Sequence, residues 1–220
     1  MKRCYLISCT AVPCAGRMTG MRKPRIPPML SDLLCATLSA CDGVVFDMSG
    51  PCPHCGGRAS GYDTRKKQFA VLFENDRKRT VHVVVRRFSC TVCGTVWCAD
   101  EPFYPGTRIG SPLVDLCTTL GQAMPYTRVS TYLAGAGIIV DRWSVRNYVM
   151  GNLRPCHSME IFGIRLPGSI VMLSSLVAAT TPVKALGANA ILAACNNPSA
   201  PLPVSGTRSG RHSATLSTDP

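Results

Sequence analysis

Acidic residues are scarce in this chain of 220 residues, where 12 Asp and Glu stand against 24 Lys and Arg. Beyond Met150 only Glu160 and Asp219 remain, so that part cannot supply the clustered carboxylates of a metal-dependent catalytic site. Histidine is as sparse. His54, His82, His157 and His212 show no nucleophile or base partner at a familiar catalytic spacing. The neighbours Cys156 and His157 make no dyad, because adjacent side chains diverge. Neither catalysis nor a small-molecule substrate is expected. No uninterrupted apolar run opens the chain, since Pro13, Arg17, Arg22, Lys23 and Arg25 break up any secretory segment. One uncharged stretch, Leu166 to Val183, approaches the length of a membrane span, but Pro167, Gly168, Pro182 and several Ser and Thr interrupt it. It reads as a buried or self-associating helix, which leaves a homodimer open and a membrane partner disfavoured.

What the chain does have is cysteine and positive charge. The 13 cysteines are odd in number, and four form two C-x2-C pairs, unlike a scattered disulfide framework. A reducing, cytoplasmic setting follows. The net charge of +12 and pI near 9.3 predict attraction to polyanions. Half of that surplus lies between residues 52 and 98, on Arg58, Arg65, Lys66, Lys67, Arg77, Lys78, Arg79, Arg86 and Arg87 against Asp63, Glu74 and Asp76.

Composition divides the chain into small modules with no single core expected. Residues 1–28 read as a disordered basic N-terminus, in which Met18 or Met21 would serve equally as a start. Residues 29–48 hold a short amphipathic helix on Leu30, Leu33, Leu34 and Leu38, then a strand at Val44–Phe46. Strands follow at Arg58–Tyr62, Lys67–Glu74 and Thr80–Phe88; in the last, Val81, Val83 and Val85 alternate with His82, Val84 and Arg86. From Ser111 the period turns helical. Ser111 is read as a cap with Pro112 in the first turn, and Leu113, Leu116, Cys117 and Leu120 form the apolar stripe. A second helix spans Thr127–Ala134 with Val129, Tyr132 and Leu133 inward. Ile138 plugs the core, and Asp141 caps a third helix running to Met150. Residues 156–195 form an apolar helical region, and 196–220 a disordered Pro/Ser/Thr/Gly tail.

The strongest motif is Cys52-Pro-His-Cys55-Gly followed by Cys90-Thr-Val-Cys93-Gly. Each C-x2-C turn delivers two thiolates from one tight knuckle, and two knuckles complete the four-sulfur tetrahedron that zinc prefers. Glycine after each pair lets the backbone bend so that amides point at sulfur. Buried thiols or a redox pair is the competing reading. His54 lies within its knuckle and is read as a surface residue, while Cys41 and Cys98 are packing cysteines. With all four positions filled, the zinc is structural and activates no water.

The run MPYTRVSTYLAGAGIIVDRWSVRNYV reads as a helix-turn-helix at 108–152. Its third helix would present Arg142, Ser144, Arg146 and Asn147, with Arg128 on the second, while Val145, Tyr148 and Val149 pack. Arg and Asn suit bidentate contacts to guanine and adenine in the major groove. Residues 99–150 carry four basic and four acidic side chains, so phosphate contacts would fall to Arg65, Lys66, Lys67, Arg77, Lys78, Arg79, Arg86 and Arg87.

The CPHCGG/CTVCG pair followed by YTRVSTYLAGAGIIVDRWSVRNYV resembles the N-terminal DNA-binding region of prokaryotic and archaeal insertion-sequence transposases, over about residues 50–155. The resemblance implies an α+β fold: a small β-rich zinc ribbon at 49–100 followed by a helical helix-turn-helix domain, with disordered termini. Such transposases continue into a domain of three metal-binding carboxylates, which the acid-poor C-terminal part here cannot build. The expectation is a zinc-stabilised DNA-binding relative without catalysis, its residues 156–220 fitting a remnant left by a frameshift or early stop. Three rivals stay open: an RNA-binding or ribosome-associated zinc ribbon, an active recombinase, and a protein-interaction adaptor that self-associates through Ile161–Cys195.

Overall fold

The computed structural model describes residues 26–151, 157–161, 163–179 and 186–195. The N-terminal basic stretch before Ile26, the tail 196–220 and Cys156 lie outside the described residues.

Helix α1 (Pro28–Ser39) begins on a proline, whose fixed φ suits a first helical turn. It buries Leu30, Leu34, Thr37 and Leu38. Leu33, expected on the same stripe, is 38% exposed. A two-residue strand β1 (Val45–Phe46) follows, and then a long hairpin of β2 (Ala59–Glu74) and β3 (Arg77–Cys90). The hairpin closes at Asn75 and Asp76, with φ of 49° and 59°. Asn and Asp tolerate this left-handed pair, and the resulting twist matches the flanking strands.

The two strands expected at Arg58–Tyr62 and Lys67–Glu74 are one continuous strand, because Thr64, Arg65 and Lys66 pair with Arg86, Val85 and Val84. Polar on both sides, this stretch lacks the alternation by which a half-buried strand declares itself. Bulges fall at the register shifts between Gly61 and Asp63 and between Gln68 and Ala70. A short β4 (Val96–Cys98) pairs antiparallel with β3, on which β1 also lies, in parallel. Val81, Val83 and Val85 are fully buried, whereas Ala59–Lys66 of β2 is exposed throughout.

Helices α2 (Ser111–Ala123), α3 (Tyr126–Gly135) and α4 (Arg142–Met150) follow and pack against one another. The α2 cap differs from expectation: Gly110 occupies the N-cap and Ser111 the first helical position, with no side-chain cap bond. The Gly110 amide donates to the Phe69 carbonyl at 2.8 Å, which brings its backbone against the Phe69 ring. A Cβ on Gly110 would lie 2.2 Å from the Phe69 ring. Phe69 is the extra residue of the second bulge, fully buried and edge-on to Phe103, with ring centroids 6.1 Å apart. Asp141 caps α4, its carboxylate accepting from the amides of Trp143 and Ser144 at 2.9 Å each.

The turn between α3 and α4 is stitched to the free edge of β2. Phe73 donates to the Gly137 carbonyl at 2.8 Å, Ile139 donates to Val71 at 2.9 Å, and the fully buried Ile138 bridges to Leu72. One connected apolar cluster therefore runs from α1 through the sheet into α2, α3 and α4, in place of separate cores.

The region 156–195 is not purely helical. It opens with a small hairpin, β5 (Ser158–Ile161) and β6 (Ile164–Pro167), before α5 (Gly168–Ala179) and α6 (Ala188–Ala194). Four-residue strands carry too short a pattern to be read from sequence. Helix α5 docks on α1 through the Thr37 and Ser174 hydroxyls, 3.0 Å apart, and on α2 through Asp115. The Asp115 carboxylate is buried and accepts from Ser169 at 2.6 Å and Tyr104 at 2.7 Å. Burial nonetheless holds its pKa above the ordinary carboxylate value. Among the described residues, no helix is long and apolar enough to cross a membrane.

Candidate metal centre and basic surface

The two C-x2-C segments build the same knuckle twice. In the first, the Cys52 amide donates to the Gly57 carbonyl at 3.0 Å and the Gly56 amide to the Cys52 carbonyl at 2.9 Å. In the second, Cys90 donates to Thr95 at 2.9 Å and Gly94 to Cys90 at 3.1 Å. Gly56 and Gly94 each have φ of +70°, the left-handed conformation that closes the turn at little steric cost. The β2–β3 hairpin carries the knuckles to one end, where all four sulfurs lie within 4.8 Å of one another.

The closest sulfur separations are 3.4 Å for Cys55–Cys90 and Cys55–Cys93, and 3.7 Å for Cys52–Cys93. These are far beyond a disulfide bond. With all four sulfurs within 4.8 Å of one another, they bracket the edge, about 3.8 Å, of a tetrahedron of sulfurs lying about 2.3 Å from a central ion. Gly57 lines the site, for a Cβ there would lie 3.0 Å from the Cys90 sulfur and 3.2 Å from that of Cys55. Cys52 and Cys90 are buried, while Cys55 and Cys93 face solvent.

The thiols share protons unequally. The Thr95 hydroxyl, 3.2 Å from the Cys93 sulfur, and the Thr95 backbone pull Cys93 down to about 5. The amides of Cys93 and Val92 point at the Cys90 sulfur and lower its pKa. The Gly57 backbone favours a thiolate at Cys55, but the neighbouring Cys90 and Cys93 sulfurs outweigh it and push Cys55 up to about 12. A thiophilic cation would replace the shared protons and hold the sulfurs as thiolates. His54 is exposed and outside the cluster, as are Cys98 on the surface and Cys41 in the core. Among the described residues this is the one group of three or more metal-ligating side chains so placed.

The basic residues expected to meet phosphate divide into two sets. Arg65, Lys66, Arg77, Lys78 and Arg86 are exposed and form no ion pair among the described residues. Three others are already engaged. Lys67 pairs with Glu101 at 2.6 Å over the Phe103 ring, Arg79 bridges Asp42 and Glu74, and Arg87 clamps Asp63. Strand register also separates neighbours: Arg65 and Lys67 lie opposite Val85 and Val83 on the core side, while Lys66 lies opposite Val84 on the other.

On α4, Arg142, Arg146 and Asn147 are exposed, Val145 is buried, and Tyr148 and Val149 are half-buried. Ser144 is half-buried and spends its hydroxyl on Asp141 at 2.6 Å. Arg128 is exposed but lines a cleft with Glu160 and Arg165. Ser144 and Asn147 instead face a groove shared with Arg108, on the loop before α2. Sequence reasoning missed Arg108, Trp143 and Tyr62. Trp143 is 59% exposed with the Arg142 guanidinium 5.0 Å from its ring centre. For Trp143 the adjacent Arg142 was the available signal, whereas Tyr62, between Gly61 and Asp63, meets its cation only through the strand pairing with Arg87. Searches against protein-family models, curated proteins and solved structures give no match to this chain.

Proposed function

We propose that this protein is a zinc-stabilised DNA-binding protein, a transposase-related zinc ribbon and helix-turn-helix without the catalytic carboxylates. The observation that carries the reading is the four-sulfur cluster at the end of a basic hairpin, Cys52, Cys55, Cys90 and Cys93 lying within 4.8 Å of one another. Four thiolates at tetrahedral spacing favour zinc among abundant divalent ions and leave no coordination position for an activated water. The ion would hold the knuckles together. Arg65, Lys66, Arg77, Lys78 and Arg86 then supply phosphate contacts, and Arg142, Arg146 and Asn147 on α4 read base edges.

Metal content of the purified protein, followed by duplex-DNA binding at low and moderate salt, tests the reading. One zinc per chain and salt-sensitive binding are expected. Substituting Arg142 and Asn147 with alanine should lower DNA affinity without releasing the metal. Unchanged affinity would favour the hairpin acting alone, as in an RNA-binding or ribosome-associated ribbon. Salt-insensitive association would favour a protein adaptor, and nicking with magnesium or manganese an active recombinase.

A further inference from the structure

Tyr62 is a large aromatic side chain left 59% exposed at a β-bulge, the one position between Gly61 and Asp63 without a partner on β3. A bulge adds a residue to one strand and re-aims its side chain, and such devices gather at binding sites. The ring is not loose. The Arg87 guanidinium lies 5.1 Å from its centre, and Asp63 clamps that guanidinium through two hydrogen bonds. The paired arginine holds the Asp63 carboxyl below its ordinary range, so the clamp stays charged.

Around the ring, Arg86 lines the same shallow hollow as Tyr62, together with Val45, Asp47 and Thr64. Arg65 and Lys66 follow on the same strand, exposed and without an ion pair among the described residues. Here the hairpin arm is bare of core: every residue from Ala59 to Lys66 is exposed. An exposed aromatic held against Arg87, with cations outside any ion pair a few residues away, suits a flexible polyanion carrying flat apolar groups. Bases stacked inside a duplex offer no free face to such a ring.

From this arrangement we infer that the hairpin arm is a stacking platform for an unpaired base, so that the protein binds single-stranded DNA adjoining the duplex it reads. The inference rests on the DNA-binding reading above and adds a second class of contact to it. Tyr62 stacks on the base, while Arg86 and Lys66, which share a face of the hairpin with Thr64, meet the flanking phosphates.

The test compares the full-length, metal-loaded protein on a blunt duplex and on the same duplex with a short single-stranded thymine extension. Fluorescence anisotropy at fixed salt gives both affinities. The extension is expected to tighten wild-type binding by about fivefold or more, the range that base-on-aromatic stacking covers. Tyr62→Phe should keep that gain. Tyr62→Ala and Tyr62→Leu should lose it, with metal content and blunt-duplex affinity unchanged. No gain in wild type, or a gain surviving both Ala and Leu, would overturn the inference and leave duplex recognition standing. Binding to the extended probe through Tyr62 without binding to the blunt one would instead sink the duplex reading and keep the platform.

Discussion

Removing the metal should open one end of the molecule and spare the rest. At that end, β2 from Ala59 to Lys66 is wholly exposed, and the apolar support is Phe88, 9% exposed, against a half-covered Trp97 at 6.2 Å between ring centres. Burying one such side chain contributes about 1.5–3 kcal/mol. Fixing the backbone costs about 1–2 kcal/mol for each residue ordered, and both knuckles, β4 and the outer half of β2 must be ordered. Local burial alone therefore does not hold this end closed.

An ion that binds only the closed form shifts the balance by about 4 kcal/mol when its free concentration is a thousandfold above Kd. That corresponds to roughly a thousandfold in the opening equilibrium. Hydrogen exchange followed by NMR or mass spectrometry, with and without a chelator, reads this directly. Protection at Ser60, Arg65, Cys90 and Trp97 should collapse by about that factor, while Val81, Leu113 and Leu116 keep theirs. The loss should reverse when metal is restored. Uniform loss across the core would refute the division argued here. Unchanged protection at the knuckles would show that the sulfur cluster is not what closes them.

Two further outcomes follow from the packing. Gly110→Ala should destabilise the fold by about 1–3 kcal/mol, the usual cost of overpacking. In denaturant titrations the cost should shrink in a Phe69→Ala background, where the colliding ring is gone; strict additivity would refute the clash. For Asp115, the folded pKa lies above the unfolded one, so the buried carboxylate favours folding when protonated. Its contribution is complete below the unfolded pKa and fades as pH rises through the folded value. Asp115→Asn should flatten the stability profile across that window, since either hydroxyl can turn to donate or accept. Parallel wild-type and variant profiles would count against the argument.

The legible parts of this chain were those in which one residue type at one spacing dictates one geometry. Two C-x2-C-G segments can close only in a few ways, and both glycines sit in the left-handed conformation the spacing demanded. Asp141 ahead of an amphipathic run marked the start of α4, and the apolar stripe of α3 gave its buried face, whereas α2 is buried on every side from Ser111 to Cys117, beyond the stripe on Leu113, Leu116, Cys117 and Leu120. What escaped was set by contacts distant in sequence. Ser111 looked like a cap, but Phe69, some forty residues earlier, requires the glycine beside it to take that place. The outer half of β2 has no core to alternate against, and β5 and β6 are too short to show a period. In the basic set, the sequence counts charges but not partners. Nothing in the local pattern distinguishes Lys67, Arg79 and Arg87, already neutralised, from Lys66 and Arg86 beside them.

The stitch between the α3–α4 turn and the edge of β2 bears on how α4 is aimed relative to the hairpin. Gly137, Ile138 and Ile139 are tied to Val71, Leu72 and Phe73 by the two hydrogen bonds of one antiparallel bridge, centred on the buried Ile138 and Leu72. The bearing of α4 is thereby set by the same strand whose far end carries Tyr62 and the sulfur cluster. On the proposed DNA-binding reading, the protein would then act as a caliper with set jaws, not as two hands on a string. A DNA target bound in that way would have to present its features at one separation and one angle, and one with its features spaced otherwise would be held by one jaw only.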